Sequence, residues 1–120
     1  MVNGDDQAGE RRTDEVLRAL AEPRRRAILR VVASEELPAG RIAEHFDVTR
    51  SAVSQHLQVL KDAGLVAERR DGTKRLYRAR GDGLARLRSL LDQMWDDSLD
   101  LARRLAESDA GEPPGEEASA

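Results

Sequence analysis

Cysteine is absent from the 120 residues, which excludes disulfides, thiolate metal sites, cysteine nucleophiles and thiol redox sensing together. Aromatic residues are almost absent: Phe46, Tyr77 and Trp95 are the whole set, too few for a stacking platform on single-stranded nucleic acid. No apolar run approaches the roughly 20 residues of a membrane span. Met1–Glu10 has neither the basic start nor the apolar stretch of a signal peptide, so a soluble, cytoplasmic protein without membrane association is expected. No nucleophile constellation, metal cluster or phosphate loop is visible, and an enzyme is not expected. What the sequence has in quantity is charge, 36% of its residues against 39% hydrophobic.

The net charge of −3 conceals a segregation. Met1–Glu15 carries five acids and two arginines, and Ser108–Ala120 carries four acids and no base. The stretch Val16–Glu107 is +4, and Arg69–Arg80 alone has six bases against Asp71. A polyanion responds to the local field more than to the total, so this short basic stretch keeps a nucleic-acid partner open.

Composition predicts two disordered acidic tails, 1–12 and 108–120, around one folded domain over 13–107. Thr13 or Asp14 is placed to cap a first helix presenting Val16, Leu17 and Leu20. Pro23 suits the first position of a second helix burying Ala27, Ile28, Val31 and Val32. Pro38 opens a short third helix presenting Ile42, Ala43 and Phe46. The three residues Asp47-Val48-Thr49 then lead to a fourth helix, the linkage of a helix-turn-helix. Thr49 caps that helix, Val48 staples against Val53, and Gly64 stops it with Leu65 returning onto Leu60. Two β-runs, Leu65–Arg70 and Lys74–Arg80, flank Asp71-Gly72, a hairpin signal. A last helix over about Asp82–Glu107 carries Leu84, Leu87, Leu91, Met94, Ser98, Leu101 and Leu105 at alternating steps of three and four.

The expected fold is therefore mainly α with a small β-hairpin wing: a winged helix-turn-helix in the order α-α-α-α-β-β-α, dimerised through its first and last helices. On a helical wheel Val53, Leu57 and Leu60 of the fourth helix face inward, Ser51, Gln55 and Gln58 lie opposite, and Ser54 sits on the edge. Short hydroxyls and amides of this kind reach base edges and phosphates in a major groove, and a thin basic hairpin lies along the backbone beside it. The candidate surface for double-stranded DNA comprises Arg50, Ser51, Ser54, Gln55, His56 and Gln58 of this helix with Arg69, Arg70, Lys74 and Arg75 of the wing. The candidate homodimer interface comprises Val16, Leu17 and Leu20 with Leu84, Leu87, Leu91, Met94, Trp95, Ser98, Leu101 and Leu105.

Three segments carry a family resemblance. Leu20-Ala21-Glu22-Pro23-Arg24-Arg25-Arg26-Ala27-Ile28-Leu29 resembles the opening of ArsR-type repressors. Val48-Thr49-Arg50-Ser51-Ala52-Val53-Ser54-Gln55-His56-Leu57 is similar to their recognition helix, and Lys61-Asp62-Ala63-Gly64-Leu65-Val66 with the Arg-rich wing and Tyr77 completes the match over about Val16–Leu105. The resemblance implies a homodimeric winged-helix repressor in which Ser51, Ser54, Gln55 and His56 read DNA. It also brings metal-released repression, from which this sequence departs. Leu37-Pro38-Ala39-Gly40-Arg41-Ile42 stands where metal-sensing members carry Cys-x-Cys, and the last helix has Asp82 but no histidine. Asp92, Asp96 and Asp100 at i, i+4 spacing read as a solvated acidic face. No metal and no cofactor is expected; release falls to a small organic effector near Met94 and Trp95, to a partner protein or to protein concentration. The other classes open to this sequence are an architectural DNA-binding protein and a helical protein-interaction module.

Overall fold

The computed structural model describes residues 4–110, in the order α1 (Gly4–Ala21), α2 (Pro23–Ser34), α3 (Ala39–Ala43), α4 (Arg50–Asp62), β1 (Val66–Asp71), β2 (Lys74–Ala79) and α5 (Gly81–Ala110). This is the expected α-α-α-α-β-β-α order. The chain forms two compact units that divide between Leu87 and Arg88.

In the first unit α1 begins nine residues before the expected Thr13 cap, so residues 4–12, read as part of a tail, are helical. Thr13 does not cap; its hydroxyl donates to the Gly9 carbonyl at 3.0 Å, one turn back inside the helix. Few apolar residues mark this stretch, but Ala8, Glu10, Arg11 and Arg12 are good helix formers, and propensity extends the helix through them. Residues 1–3 and 111–120 of the tail readings lie outside the described residues.

The corner between α1 and α2 is made by arginines. Glu22 caps α2, accepting from the Arg25 backbone N–H at 2.9 Å, and Pro23 takes the first turn, where its missing N–H costs nothing. Arg25 donates to the carbonyls of Ala19 (2.6 Å) and Arg18 (3.1 Å). Arg26 donates to those of Leu20 (2.7 Å) and Ala21 (3.3 Å). All four of the last α1 carbonyls, which a helix end leaves orphaned, thus receive a guanidinium. Arg24 instead lies over the Phe46 ring, 5.2 Å from its centroid.

The core gathers Ile28, Leu29 and Val32 of α2, Leu37, Ile42 of α3, Val53, Leu57 and Leu60 of α4, and Leu65 and Val66 at the start of the wing. Ala19, Leu29, Leu37, Ala39 and Val66 were not expected among the buried residues. Ala19 is the fully buried residue of α1, while Val16 and Leu20 are half-buried and Leu17 is exposed. Leu29 takes the buried place on α2 that the sequence reading gave to Ala27 and Val31, which are half-buried.

The helix-turn-helix is looser than expected. α3 ends at Ala43, and 44–49, not three residues, lead to α4. His45 N–H and Phe46 N–H bond back to Ile42 and Ala43, three residues behind, so the chain keeps winding in a tighter pitch after α3 stops. α4 is bounded as expected: the Thr49 hydroxyl accepts from Ala52 N–H at 3.0 Å. At its other end Gly64 has φ 78°, with Gly64 N–H bonding to Lys61 O and Leu65 N–H to Leu60 O, both at 3.0 Å. That is the paired bonding of a Schellman stop.

β1 and β2 pair antiparallel from Val66↔Ala79 to Asp71↔Lys74, leaving Gly72-Thr73 as the two-residue loop, one residue later than the Asp71-Gly72 reading. Gly72 has φ 65° and Thr73 does not share a positive φ, as a type II′ turn requires. Leu37 adds a short third edge, exchanging backbone bonds of 3.0 and 2.8 Å with Tyr77. The first turns of α5 close this unit: Leu84 and Leu87 pack on the core, and Gly83 comes so near the wing's root that a Cβ there would stand 2.1 Å from the Gly64 carbonyl oxygen.

The second unit, from Arg88, contains the remainder of α5. Leu91, Met94, Trp95, Leu99, Leu101 and Leu105 are all exposed, Trp95 by 65%. Ser98 is exposed as well, and Asp100 holds Arg103 at 2.8 Å and Arg104 beside it.

Candidate nucleic-acid interface

α4 has the two faces expected of it. Val53, Leu57 and Leu60 are buried, which turns Arg50, Ser51, Ser54, Gln55 and Gln58 outward and leaves His56 half-buried between them. Gln58 spends its amide locally, donating to the Asp62 carboxylate at 2.8 Å. Arg50 and Ser54 also line a concave surface of about 350 Å³ with Pro38 and Ala39 on one side and Thr73, Lys74, Arg75 and Tyr77 of the wing on the other. The structure therefore brings Arg50, Ser54, Lys74 and Arg75 of the sequence-derived set to one cleft. Ser51, Gln55, His56 and Gln58 are not among its lining residues.

Strand register sorts the wing's charges. Glu68 pairs with Tyr77 and Arg70 with Arg75, so Glu68, Arg70, Arg75 and Tyr77 share a face; Arg69, paired with Leu76, Arg78, paired with Ala67, and Lys74, paired with Asp71, share the other. Arg70 and Arg75 are thus directly opposite like charges, a destabilising cross-strand pair. Among the described residues neither they nor Lys74 has a carboxylate within 4 Å. Arg69 is differently placed: Glu36 accepts from its Nε at 3.0 and 2.9 Å and from its Nη2 at 2.6 Å, and Arg78 Nε lies 3.7 Å from the same carboxylate. The hydrogen bonds from Arg69 hold the Glu36 carboxyl below its ordinary pKa and raise that of Arg69. Arg80 is taken by Asp82 at 2.6 Å and Lys61 by Glu68 at 3.0 Å. Burial, with Glu68 beside it, pushes the Tyr77 phenol up.

Sequence reasoning missed Glu36, Thr73 and the position of Tyr77. Glu36 lies 33 residues from Arg69, and no spacing rule joins them; the alternation of the strands offered the one available signal, that Arg69 and Arg70 point to opposite faces. His45 is exposed beside Phe46, with the two ring centroids 6.3 Å apart. Among the described residues no three His, Asp or Glu side chains converge as a metal-binding group, and no helix is long and apolar enough to cross a membrane.

A helix-turn-helix whose second helix turns polar side chains outward beside a basic two-stranded hairpin is a winged helix-turn-helix protein. Residues 20–69 match the family model described as a helix-turn-helix domain. The HTH-type transcriptional regulator Rv2034 of Mycobacterium tuberculosis is 43% identical over 99 residues, covering 82% of this chain and 92% of that one. The transcriptional repressor SdpR of Bacillus subtilis is 39% identical over 57 residues, 48% of this chain and 63% of that one. The solution structure of the homodimeric winged helix-turn-helix DNA-binding domain of Mb0332 from Mycobacterium bovis, a possible ArsR-family transcriptional regulator, is similar at a TM-score of 0.66 and 34% identity, covering 82% of this chain and 92% of that one. The chain belongs to the ArsR-type family of winged helix-turn-helix transcriptional regulators.

Proposed function

We propose that the protein is a homodimeric repressor that binds an inverted-repeat operator in double-stranded DNA. The observation that carries this reading is the Arg70–Arg75 pair. Two guanidinium groups held opposite each other repel unless an anion lies between them, and they share the wing face with Tyr77 of the cleft. A phosphate backbone supplies such anions at regular spacing. In this reading Arg50, Ser54, Arg70, Lys74 and Arg75 hold phosphates and fix the register of the helix. Ser51, Gln55 and His56 reach base edges, with Gln55 foremost because its amide has no partner among the described residues. Gln58 contributes once it leaves Asp62, whereas Arg69 is engaged by Glu36.

Dimerisation follows from the apolar residues that α5 leaves exposed: Leu91, Met94, Trp95, Leu101 and Leu105, with Ser98 among them. A second copy covers this seam; in the first unit Val16, Leu17, Leu20, Leu84 and Leu87 are separate candidates for contact with that copy. The homodimeric Mycobacterium bovis relative supports that reading, and the repressor from Bacillus subtilis supports repression. Footprinting on the DNA flanking the protein's own gene tests the whole proposal. One protected inverted repeat is expected; uniform coverage would make the protein architectural, and no binding to any duplex at low salt would make it an interaction module.

A further inference from the structure

Two arginines of the wing, Arg69 and Arg78, lie on the face turned away from Arg70 and Arg75, and both meet the same carboxylate, Glu36. Glu36 directly precedes Leu37, whose two backbone bonds to Tyr77 pin it beside β2. From there it accepts from both Nε and Nη2 of Arg69 and lies 3.7 Å from Arg78, diagonal neighbours on the face turned away from Arg70 and Arg75. The Glu36 side chain is 24% exposed, against 53% and 59% for the two arginines, so the acid is the fixed member and the arginines are the reaching ones.

Two magnitudes decide what this arrangement does. As a surface ion pair it contributes only about 0–1 kcal/mol to stability. As a withdrawal of cations from a polyanion it is much larger, because each phosphate contact adds roughly 0.9 to the slope of log affinity against log salt. We propose that Glu36 withholds Arg69 and Arg78 from the phosphate backbone and thereby sets the ratio of operator to random-sequence binding. Random-sequence affinity is nearly all counterion release, whereas the base contacts of α4 are untouched, so removing cations lowers the first more than the second. The inference rests on the DNA-binding reading above.

The test is binding of the full chain to a random-sequence duplex across a salt series, with Glu36→Gln made in the native background and in Arg69→Gln/Arg78→Gln. In the native background E36Q steepens the salt slope by about one to two and tightens binding roughly tenfold at moderate salt. In the doubly substituted background the same change moves affinity less than about twofold, since no arginine is left to release. Weaker or unchanged binding by E36Q, or an equal gain in both backgrounds, would overturn the inference while the native protein still binds duplex normally. Failure of the native protein to bind any duplex at low salt would instead overturn the regulator reading, and this inference with it.

Discussion

Gln55 of α4 and Arg75 of the wing have different proposed roles, one at a base and one at a phosphate, and are expected to fail differently. Gln55→Ala costs about 1–3 kcal/mol on the operator and little on random DNA, because a bidentate amide reads a base. Arg75→Ala weakens every duplex about equally and lowers the salt slope by about one, because it removes one phosphate contact. Anisotropy titrations on both duplexes check this, and parallel losses for the two variants would undo the assignment of α4. At this scale the sequence was legible where a residue's partner is close along the chain. Thr49 bonds three residues on and Gly64 closes a turn onto Lys61, so the residue type alone identifies the cap. It was illegible where the partner is distant, as with Glu36 and Arg69, or where packing buries a small residue and leaves a larger apolar one exposed, as with Ala19 and Leu17.

Among the elements, α1 and α2 show why an arginine run need not be a binding patch. Arg25 and Arg26 cover the carbonyls at the end of α1, where positive charge also meets the negative end of the helix dipole. Replacing both by Ala should destabilise the fold by about 1–2 kcal/mol, read from chemical unfolding, while leaving the salt slope of DNA binding nearly unchanged. An altered slope with unaltered stability would mean that these arginines serve the DNA instead. The order of elements was readable because periodicity, caps and the Asp-Gly signal are local. The early start of α1 was not, since intrinsic helix propensity acts without any apolar stripe to announce it. Nor was the short α3, where the change from four-residue to three-residue bonding leaves no mark on residue type.

The whole molecule is expected to sediment as a dimer at micromolar concentration. Leu101→Glu, which puts charge into the exposed seam of α5, should weaken self-association more than tenfold, a loss of at least about 1.4 kcal/mol, and operator binding should fall with it. A native monomer would refute the seam. Release is expected to be indifferent to metals: zinc, cadmium or arsenite in few-fold excess leaves the protein–DNA complex intact in a gel-shift titration, because the chain has no thiol and only His45 and His56 as imidazoles. Stoichiometric release reversed by a chelator would reveal a carboxylate site built between subunits. The near-contact of Gly83 with the Gly64 carbonyl has its own consequence, in mutational tolerance. In a library randomised at position 83 and selected for folded protein, glycine should be the sole frequent survivor, since even a methyl group displaces one backbone from another. Libraries at positions 40 and 81, where an added Cβ meets nothing within 4 Å, should return alanine freely, so that glycines alike on paper separate into one fixed point and two open ones.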